Sequence, residues 1–262
     1  VVNMGGAGGT IGTARVAAAK PDGYTILLGH TGQATQTSLY KSLTYDPVDS
    51  FDTIGLVTEV PMTIVGKPGL EPADLKTLIT YIRERPDKLN YAHSGLGSVA
   101  QLCGLMFMSA TRTKMTVIPY KGGGEVMKDL LAGQIDVYCE PATGTTANIQ
   151  AGKIKAYAVT TKKRVGTLPD VPTTTEAGFP EIGITTWYGL YAPKGTPAPV
   201  IAKLSTALQA AVVDSNVVTR FGPLSMVPVS PDQATPAALD AKLKSEVKYW
   251  SALLKEAGVK PE

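Results

Sequence analysis

The stretch LNYAHSGLGSVAQLCGL, residues 89–105, contains the pattern that decides the fold prediction. It predicts a short strand at Leu89–His93, a turn of small residues at Ser94–Ser98 and a helix that begins at Val99. The first backbone N–H groups of a helix have no partner within the helix, so they can bind an anion. A strand, a glycine-containing turn and a helix in this order therefore form a candidate anion site.

The composition of this turn supports two interpretations. Gly95 and Gly97 let the backbone approach a ligand closely, while Ser94 and Ser98 add hydroxyl groups. Ser98 is also typical of a helix N-cap. An ordinary connection between a strand and a serine-capped helix explains the same residues, and the turn by itself does not decide between the two.

Bulk composition limits the class of protein. The chain has 262 residues, 44% of them hydrophobic and 18% charged, which predicts a globular protein of two modest α/β domains or one large domain. The net charge is +3 and the longest basic run is Lys162–Arg164, so we expect no nucleic-acid partner. No stretch approaches the ~20 apolar residues of a membrane span.

Cysteines and histidines are too few for a metal site. Cys103 and Cys139 both fall at predicted core positions, and we expect two buried free thiols, with a single disulfide as the alternative. His30 and His93, the only histidines, each lie at a predicted strand end beside a glycine turn. We therefore expect neither a metal nor another cofactor.

Three further turns repeat the arrangement of the first. GHTGQ (Gly29–Gln33), YKGGG (Tyr120–Gly124) and EPATG (Glu140–Gly144) each lie between a predicted strand and a predicted helix. The carboxyl ends of strands are where ligands bind in open α/β sheets. The strands that precede these turns are Tyr24–Leu28, which is apolar like a buried parallel strand, Met115–Pro119 and Ile135–Cys139.

The rest of the chain continues the alternation of strands and helices, which predicts an α/β fold with parallel sheets. The other predicted strands are Ile54–Thr58 and Met62–Val65, which Pro61 separates, Ile154–Thr160, Ile184–Ala192 and Met226–Val229. The other predicted helices are Thr10–Lys20, a short one ending at Tyr40, Pro72–Arg85, one within Pro169–Pro180, Val200–Val213 and a long one within Pro231–Ala257.

Nucleotide-binding motifs are incomplete in this chain. The stretch GGAGGTIG (Gly5–Gly12) places Gly6 and Gly8 as a dinucleotide-binding motif requires, but Ile11 stands where that motif has its last glycine. The same stretch has no lysine, which a P-loop requires. A tight turn before a closely packed helix explains it better.

Catalytic motifs are also incomplete. No Gly-x-Ser-x-Gly sequence occurs, and neighbouring residues of a strand, such as His93 and Ser94, point to opposite faces. Asp136 and Glu140 are too few to specify general acid–base chemistry. We therefore predict no catalytic residues.

Turns rich in glycine, serine and threonine, without a nucleophile, base or metal, are suited to binding an anionic small molecule, with a carboxylate as the first candidate. His30 is expected to face the ligand as a polar wall residue. The other side chains expected to shape the contacts are Thr31, Gln33, Ser94, Ser98, Gln101, Thr143 and Trp187.

Long motifs in a fixed order give the chain a family resemblance. It resembles the solute receptors of tripartite tricarboxylate transporters, which are the Bug-type family of bacterial periplasmic binding proteins. The motifs run over nearly the whole chain and are AAAKPDGYTILLG, YDPVDSF, KLNYAHSGLGS, IPYKGGGEVMKDLLAGQIDV, AGKIKAYAVT, LPDVPTTTEAGFP and WYGLYAPKGTPAPVI.

The resemblance implies a two-domain Venus-flytrap fold with mixed, mainly parallel sheets and a ligand cleft between the domains. Two crossover strands would match Leu56–Val65 and Ile184–Leu190. One domain would combine residues 1–60 and 188–262, and the other would be residues 61–187.

The resemblance also implies the ligand-binding turns. The turn of the first domain would be Gly29–Gln33, including Gly32, and those of the second would be Ser94–Gln101 and Glu140–Thr143, including Pro141. Family members often have an aspartate in place of Glu140. A charged Glu140 would repel a plain dicarboxylate unless a water, a lysine such as Lys121 or a proton intervened, or else Glu140 caps or pairs locally.

Family members carry an N-terminal strand, a ligand-contacting loop and a helix before the equivalent of Val1–Asn3, which reads as the end of a strand. We therefore expect such a segment to precede this chain in the complete protein, which leaves the first-domain site less defined.

The family implies a periplasmic, monomeric receptor that closes on a small organic acid and delivers it to membrane permease subunits. The ligand would be a di- or tricarboxylate, an acidic amino acid or an aromatic acid. An α/β enzyme acting on a carboxylate, and a ligand-sensing receptor for a regulatory partner, are the competing hypotheses.

Overall fold

The computed structural model describes residues 1–4 and 6–261. In this part of the chain the strands are β1 (Leu27–His30), β2 (Phe51–Gly66), β3 (Asn90–His93), β4 (Thr116–Pro119), β5 (Val137–Pro141), β6 (Lys155–Val159), β7 (Thr185–Pro193) and β8 (Val227–Pro228). The α-helices are α1 (Thr10–Ala17), α2 (Gln36–Leu39), α3 (Leu75–Glu84), α4 (Val99–Thr111), α5 (Gly123–Leu131), α6 (Ala142–Gln150), α7 (Ala198–Val212), α8 (Ser215–Phe221) and α9 (Pro236–Glu256). Short 3₁₀ turns occupy Ala7–Gly9, Thr31–Thr35 and Gly222–Leu224.

The alternating order confirms the α/β prediction, and the sheet is mixed as expected. β3 pairs in parallel with β4 and with β5. β2 pairs antiparallel with β5, β6 and β8, and β1 pairs antiparallel with β7. The prediction of mainly parallel sheets therefore holds for β3 and its two neighbours, but not for β2 and β7, whose pairings are antiparallel.

The strand break predicted at Pro61 is wrong, because β2 continues through it. Thr58 and Glu59 pair with β8, and pairing with β5 begins at Met62. Pro61 lies between these two pairings, where its missing N–H interrupts neither of them.

The prediction that Tyr24–Leu28 is a buried strand is also wrong. β1 begins at Leu27, Tyr24 is fully exposed, and Leu28 is 57% exposed. Successive side chains of a strand point to opposite faces, so Leu28 marks an exposed face of β1.

Two helix predictions fail as well. The segment 169–180 consists of turns rather than a short helix, and the helix α8 was not predicted. α8 is short and has no buried residue, so it lacks the apolar periodicity by which a helix is recognised in a sequence.

At the beginning of the chain, residues 1–4 have no regular secondary structure, so the reading of Val1–Asn3 as a strand end is wrong for these residues. Gly5, the first residue of the Gly5–Gly12 stretch, lies outside the described residues.

The chain forms two compact units. Unit 1 contains residues 1–59, 187–221 and 227–262, and unit 2 contains residues 60–186 and 222–226. Two boundaries fall within β2 and within β7, next to the predicted domain limits, whereas the segment 222–226 belongs to unit 2 and was predicted in the first domain. Whether the units are functional domains of a flytrap stays a prediction.

Unit 2 is built around a sheet in the order β6-β2-β5-β3-β4. The helix α3 of this unit buries four residues at helical spacing, and a capping box between Asp74 and Thr77 fixes the start of that helix. A core of Val65, Ala92, Ala100, Val126, Leu130, Ile135, Tyr138 and Ile154 joins β2, β3 and β5 to α4 and α5.

Unit 1 pairs β1 with β7 and β8 with the first part of β2. Its long helix α9 buries four apolar residues, Leu239, Leu243, Trp250 and Leu254. α9 packs against the 3₁₀ turn Thr31–Thr35, and Ser38 and Ser251 share a hydrogen bond of 2.7 Å nearby.

Cys103 and Cys139 form a disulfide, so the expectation of two free thiols is wrong. The bridge joins α4 to β5, which pack against each other and bring the two Cα atoms to 6.2 Å. That distance suits a disulfide, but the 36-residue separation in sequence gives no sign of it.

Candidate functional site

Three parallel strands of unit 2 end at one edge of the sheet. β5, β3 and β4 are adjacent, and α6, α4 and α5 respectively follow them. His93 pairs with Pro119, so β3 and β4 end together. The N-termini of three helices therefore gather at this edge, which we call the unit 2 edge.

The turn before α4 satisfies several of its own hydrogen-bonding groups. The Ser98 hydroxyl accepts a bond from the Gln101 N–H at 3.2 Å, which confirms Ser98 as the N-cap. The Gln101 amide oxygen accepts a bond from the Gly97 N–H at 2.7 Å. Gly95 and Gly97 have φ values of 120° and 74°, which favour glycine.

In contrast to α4, the helices α5 and α6 have no side-chain cap. Their N-caps are Gly122 and Pro141, and neither supplies an acceptor to the first turn of its helix. The first amide groups of both helices are therefore available to an acceptor, and the helix dipole adds positive potential there.

Glu140 places a carboxyl group at the same edge. The prediction that Glu140 lies in a turn is wrong, because Glu140 belongs to β5 and pairs with Thr63 of β2. The antiparallel pairing with β2 extends β5 to Pro141. A Cβ atom added at Gly123 would lie 3.0 Å from Glu140 Oε1, and one added at Gly144 would lie 3.2 Å from it. The carboxyl group therefore lies against the first turns of both α5 and α6.

Tyr138 lies two residues before Glu140 on the same strand face, and its hydroxyl donates a hydrogen bond to the Glu140 carboxyl. Burial raises the pKa of Glu140 to about 7, and the bond from Tyr138 partly opposes that rise. Sequence reasoning missed Tyr138, although its two-residue spacing from Glu140 on a strand was a usable signal.

The candidate turn of unit 1 is the 3₁₀ segment after β1. His30 Nδ1 accepts a bond from the Gly32 N–H at 3.0 Å, and Thr31 Oγ1 accepts one from the Trp187 N–H at 2.9 Å. The Gln33 side-chain amide donates to the Pro47 carbonyl at 2.9 Å. Burial lowers the pKa of His30, which favours the neutral ring.

The remaining predicted site residues differ in exposure. Thr143 is exposed in the first turn of α6, whereas Trp187 is buried in unit 1. Among the described residues, Trp187 Nε1, Gln33 Oε1 and the Tyr191 hydroxyl are buried without a hydrogen-bond partner. The predicted residues thus fall into one group in each unit, and their role as ligand contacts stays a prediction.

The described part of the chain contains neither a candidate metal site nor a candidate membrane span. No group of three His, Cys, Asp or Glu side chains there could hold a metal ion. None of the helices described is both long and apolar enough to cross a membrane.

Comparison with known proteins gives a family match over almost the full length. The model of the tripartite tricarboxylate transporter family receptor, TctC, matches residues 1–259. A curated relative from Agrobacterium vitis, a UPF0065 protein of the TAR-I ttuE-ttuC' intergenic region, is 48% identical over 258 residues, which are 98% of this chain and 75% of the relative.

Solved structures agree with that match. The periplasmic binding protein BugD is 46% identical with a TM-score of 0.92, and the alignment covers 100% of this chain and 87% of BugD. MatC from Rhodopseudomonas palustris, solved with bound malate, is 36% identical with a TM-score of 0.88, covering 96% of this chain and 86% of MatC. The resemblance read from the motifs is therefore confirmed, and this chain belongs to the TctC family of tripartite tricarboxylate transporter receptors, which are periplasmic solute-binding proteins.

Proposed function

We propose that this protein is a periplasmic receptor that binds a small organic carboxylate and delivers it to the permease of a tripartite transporter. The observation that carries the proposal is the unit 2 edge, where the N-termini of α4, α5 and α6 follow three adjacent parallel strands. Three helix N-termini at one edge favour an anionic ligand.

The family match supports the same ligand class. MatC, a structural relative, was solved with malate, which is a dicarboxylate. A di- or tricarboxylate is therefore the first choice, and an acidic amino acid or an aromatic acid remains within the proposal. The turn Thr31–Gln33 of unit 1 is proposed as a second group of contacts, and closure of the two units on the ligand stays a prediction from the family.

The disulfide supports the proposed location. Disulfides form and persist in oxidising compartments, among which is the bacterial periplasm, and are rare in the cytosol. The bridge between Cys103 and Cys139 therefore agrees with a receptor that works in the periplasm.

A thermal-shift panel with matched uncharged analogues tests the function. Malate, succinate, adipate, glutamate and benzoate would each be added to the oxidised full chain, and succinamide would serve as the uncharged match for succinate. A ligand present at 100 times its Kd should add about 2.7 kcal/mol to the free energy of unfolding. That increase corresponds to a rise in Tm of several degrees, about 5–10 °C.

Succinamide tests whether binding depends on the negative charge of the carboxylate groups. Succinate, or another acid of the panel, should raise the Tm, while the diamide should not, because an amide lacks the charge that the helix N-termini attract. No shift with any acid, or an equal shift with succinate and succinamide, would contradict the proposal.

A further inference from the structure

The carboxyl group of Glu140 lies in a place that a carboxylate ligand would also occupy. It lies against the first turns of α5 and α6, where Cβ atoms at Gly123 and Gly144 would approach its Oε1 to 3.0 and 3.2 Å. An ionised Glu140 would repel a second carboxylate at this edge, and the repulsion between two unit charges is strong where water is partly excluded. Binding of a carboxylate at this edge therefore requires that the negative charge of Glu140 be neutralised or screened.

The positive potential beside the Glu140 carboxyl comes from the N-termini of α5 and α6, and the described contacts place no lysine or arginine side chain there. The Tyr138 hydroxyl, on β5, donates a hydrogen bond to that carboxyl, while the Tyr91 hydroxyl, on β3, donates to the Ala100 carbonyl and interacts with the Glu140 charge only through space. α5 and α6 present Gly123 and Gly144 to it, and Thr63 of β2 donates a hydrogen bond to its backbone carbonyl at 3.0 Å. Among the ion pairs of the described residues, none includes Glu140.

No ion pair of the described residues compensates the charge, and a proton on the carboxyl group would remove it. We propose that Glu140 binds the carboxylate ligand as a protonated acid that donates a hydrogen bond to a ligand oxygen, so that ligand binding takes up one proton. This inference rests on the proposed function and assigns a proton-linked role to one residue of that site.

The proton comes from solvent and goes to a Glu140 carboxyl oxygen, and it returns to solvent when the ligand leaves. Partial burial already brings the pKa of Glu140 to about 7 in the free protein, so the neutral form is accessible near neutral pH. A ligand carboxylate beside it raises that pKa further, because a like charge disfavours the ionised form. Proton uptake should therefore be largest above pH 7 and should vanish well below it.

Because ligand binding is coupled to protonation of Glu140, the affinity for the ligand should depend on pH in a specific way. Below the pKa Glu140 is already protonated, and the affinity for malate should be constant. Above it, the neutral form becomes rare and the affinity should fall by about tenfold per pH unit. If an ionised Glu140 instead paired with an ammonium group of the ligand, affinity would rise through the same pH range.

Isothermal titration calorimetry in buffers of different ionisation enthalpy measures the proton uptake directly. The full chain would be titrated with malate, or with the acid of the panel that binds it, at pH 6.5, 8 and 9. We expect uptake that approaches one proton at pH 9 and is clearly smaller at pH 6.5.

Three variants assign the proton to this residue. Glu140→Gln keeps the shape and a donor but cannot titrate, so it should bind with a pH-independent affinity and without proton uptake. Tyr138→Phe removes the hydrogen bond that opposes the raised pKa, so the fall in affinity should begin at a higher pH. Glu71→Gln is the control, because it removes an exposed charge after the end of β2, where Gly66 pairs with Val137 at the start of β5, so it should behave like the unaltered protein.

The outcomes separate this inference from the proposed function. Binding of a carboxylate without proton exchange at pH 8 would overturn the role of Glu140 but keep the receptor function. The same holds if a folded Glu140→Gln, checked by its Tm, no longer binds at pH 6.5. If no carboxylate binds either the unaltered protein or Glu140→Gln at any pH, the proposed function itself fails.

Discussion

The strand-to-helix turn of unit 1 and the turns at the unit 2 edge look alike in sequence but use their polar groups differently. In unit 1, the side chains of His30, Thr31 and Gln33 are all engaged with nearby backbone groups. At the unit 2 edge, α5 and α6 begin without a side-chain cap. A glycine-containing turn between a strand and a helix is therefore compatible with either a structural or a ligand-binding use.

The difference lies in which groups satisfy the backbone. The 3₁₀ turn of unit 1 uses side chains of its own residues as partners of nearby backbone groups, although Gln33 Oε1, Trp187 Nε1 and the Tyr191 hydroxyl stay buried without a partner among the described residues. Helix N-termini without caps keep their amide groups available. The described hydrogen bonds thus give the polar side chains of the unit 1 turn a structural use, while the uncapped amide groups of α5 and α6 remain at the unit 2 edge.

Loss of the disulfide should have the largest effect, because it fixes α4 to β5 at the unit 2 edge. Replacing both cysteines, Cys103→Ala with Cys139→Ala, removes a cross-link over 36 residues. The free energy of unfolding should fall by about 4 kcal/mol, as expected from the chain entropy of a loop of this length. Urea unfolding measures the change.

A reductant provides the control for that variant. It should destabilise the unaltered protein by a similar amount and leave the double variant unchanged. Equal stability of the oxidised and reduced forms of the unaltered protein would show that the bridge does not stabilise this edge.

Thr31→Val tests the structural use of the unit 1 turn. It removes the hydroxyl that accepts the Trp187 N–H and leaves a donor buried, which should cost about 1–3 kcal/mol in stability. The turn can still contact the ligand through its other groups, because the Thr31 hydroxyl is already used by the Trp187 N–H, so malate affinity of the folded variant should change much less than stability. Thr80→Val, at an exposed position of α3, is the matched control and should be nearly neutral.

The opposite result would change the comparison between the two regions. If Thr31→Val kept its stability and lost ligand binding, the hydroxyl would serve the ligand, and the turn of unit 1 would resemble the unit 2 edge after all.

Much of the fold could be predicted because it depends on local patterns. The strand, the turn and the N-cap in residues 89–105 are visible in the order of apolar residues, glycines and Ser98. The continuity of β2 through Pro61 could not be predicted, because it depends on a change of pairing partner between β8 and β5. The disulfide also could not, because it follows from the packing of α4 on β5.

The candidate site was predictable at the level of turns but not of individual bonds. The sequence places Gln33 and Gln101 beside ligand-binding turns, whereas the bonds of their side chains to Pro47 and to Gly97 appear only in three dimensions. The position of the Glu140 carboxyl depends on how closely two helices approach β5, and no local pattern reports that distance.

Gly123→Ala tests the unit 2 edge, with Gly124→Ala as its matched control in the same helix turn. A methyl group at residue 123 would lie 3.0 Å from both the Glu140 carboxyl and the Tyr138 hydroxyl, whereas at residue 124 it would meet nothing within 4 Å. Malate affinity should fall about tenfold for Gly123→Ala, equivalent to about 1.4 kcal/mol. Gly124→Ala should bind as the unaltered protein does, since alanine is also favourable in a helix.

Isothermal titration calorimetry measures the malate affinity of both variants. Equal affinities for the two alanine variants would mean that the space beside Glu140 does not matter for binding, and the unit 2 edge would then lose its distinction from the turn of unit 1.

The smallest effect on stability and affinity is expected at Ser98. Among the three helices at this edge, α4 alone has an N-cap side chain, that of Ser98, bonded to its first turn. Ser98→Ala should lower the free energy of unfolding by about 1 kcal/mol, the usual value for loss of an N-cap. Ser98→Asp should keep the stability, because aspartate caps a helix as well as serine does.

The aspartate separates capping from binding at one position. Its charge lies where the amides of α4 would attract a ligand carboxylate, so malate affinity should fall a few-fold, equivalent to about 1 kcal/mol, although the fold is intact. Urea unfolding and calorimetry on the same samples give both quantities. If Ser98→Asp binds malate as tightly as Ser98→Ala, then α4 contributes only a folded framework, and the anion is held by α5 and α6, whose amides are uncapped.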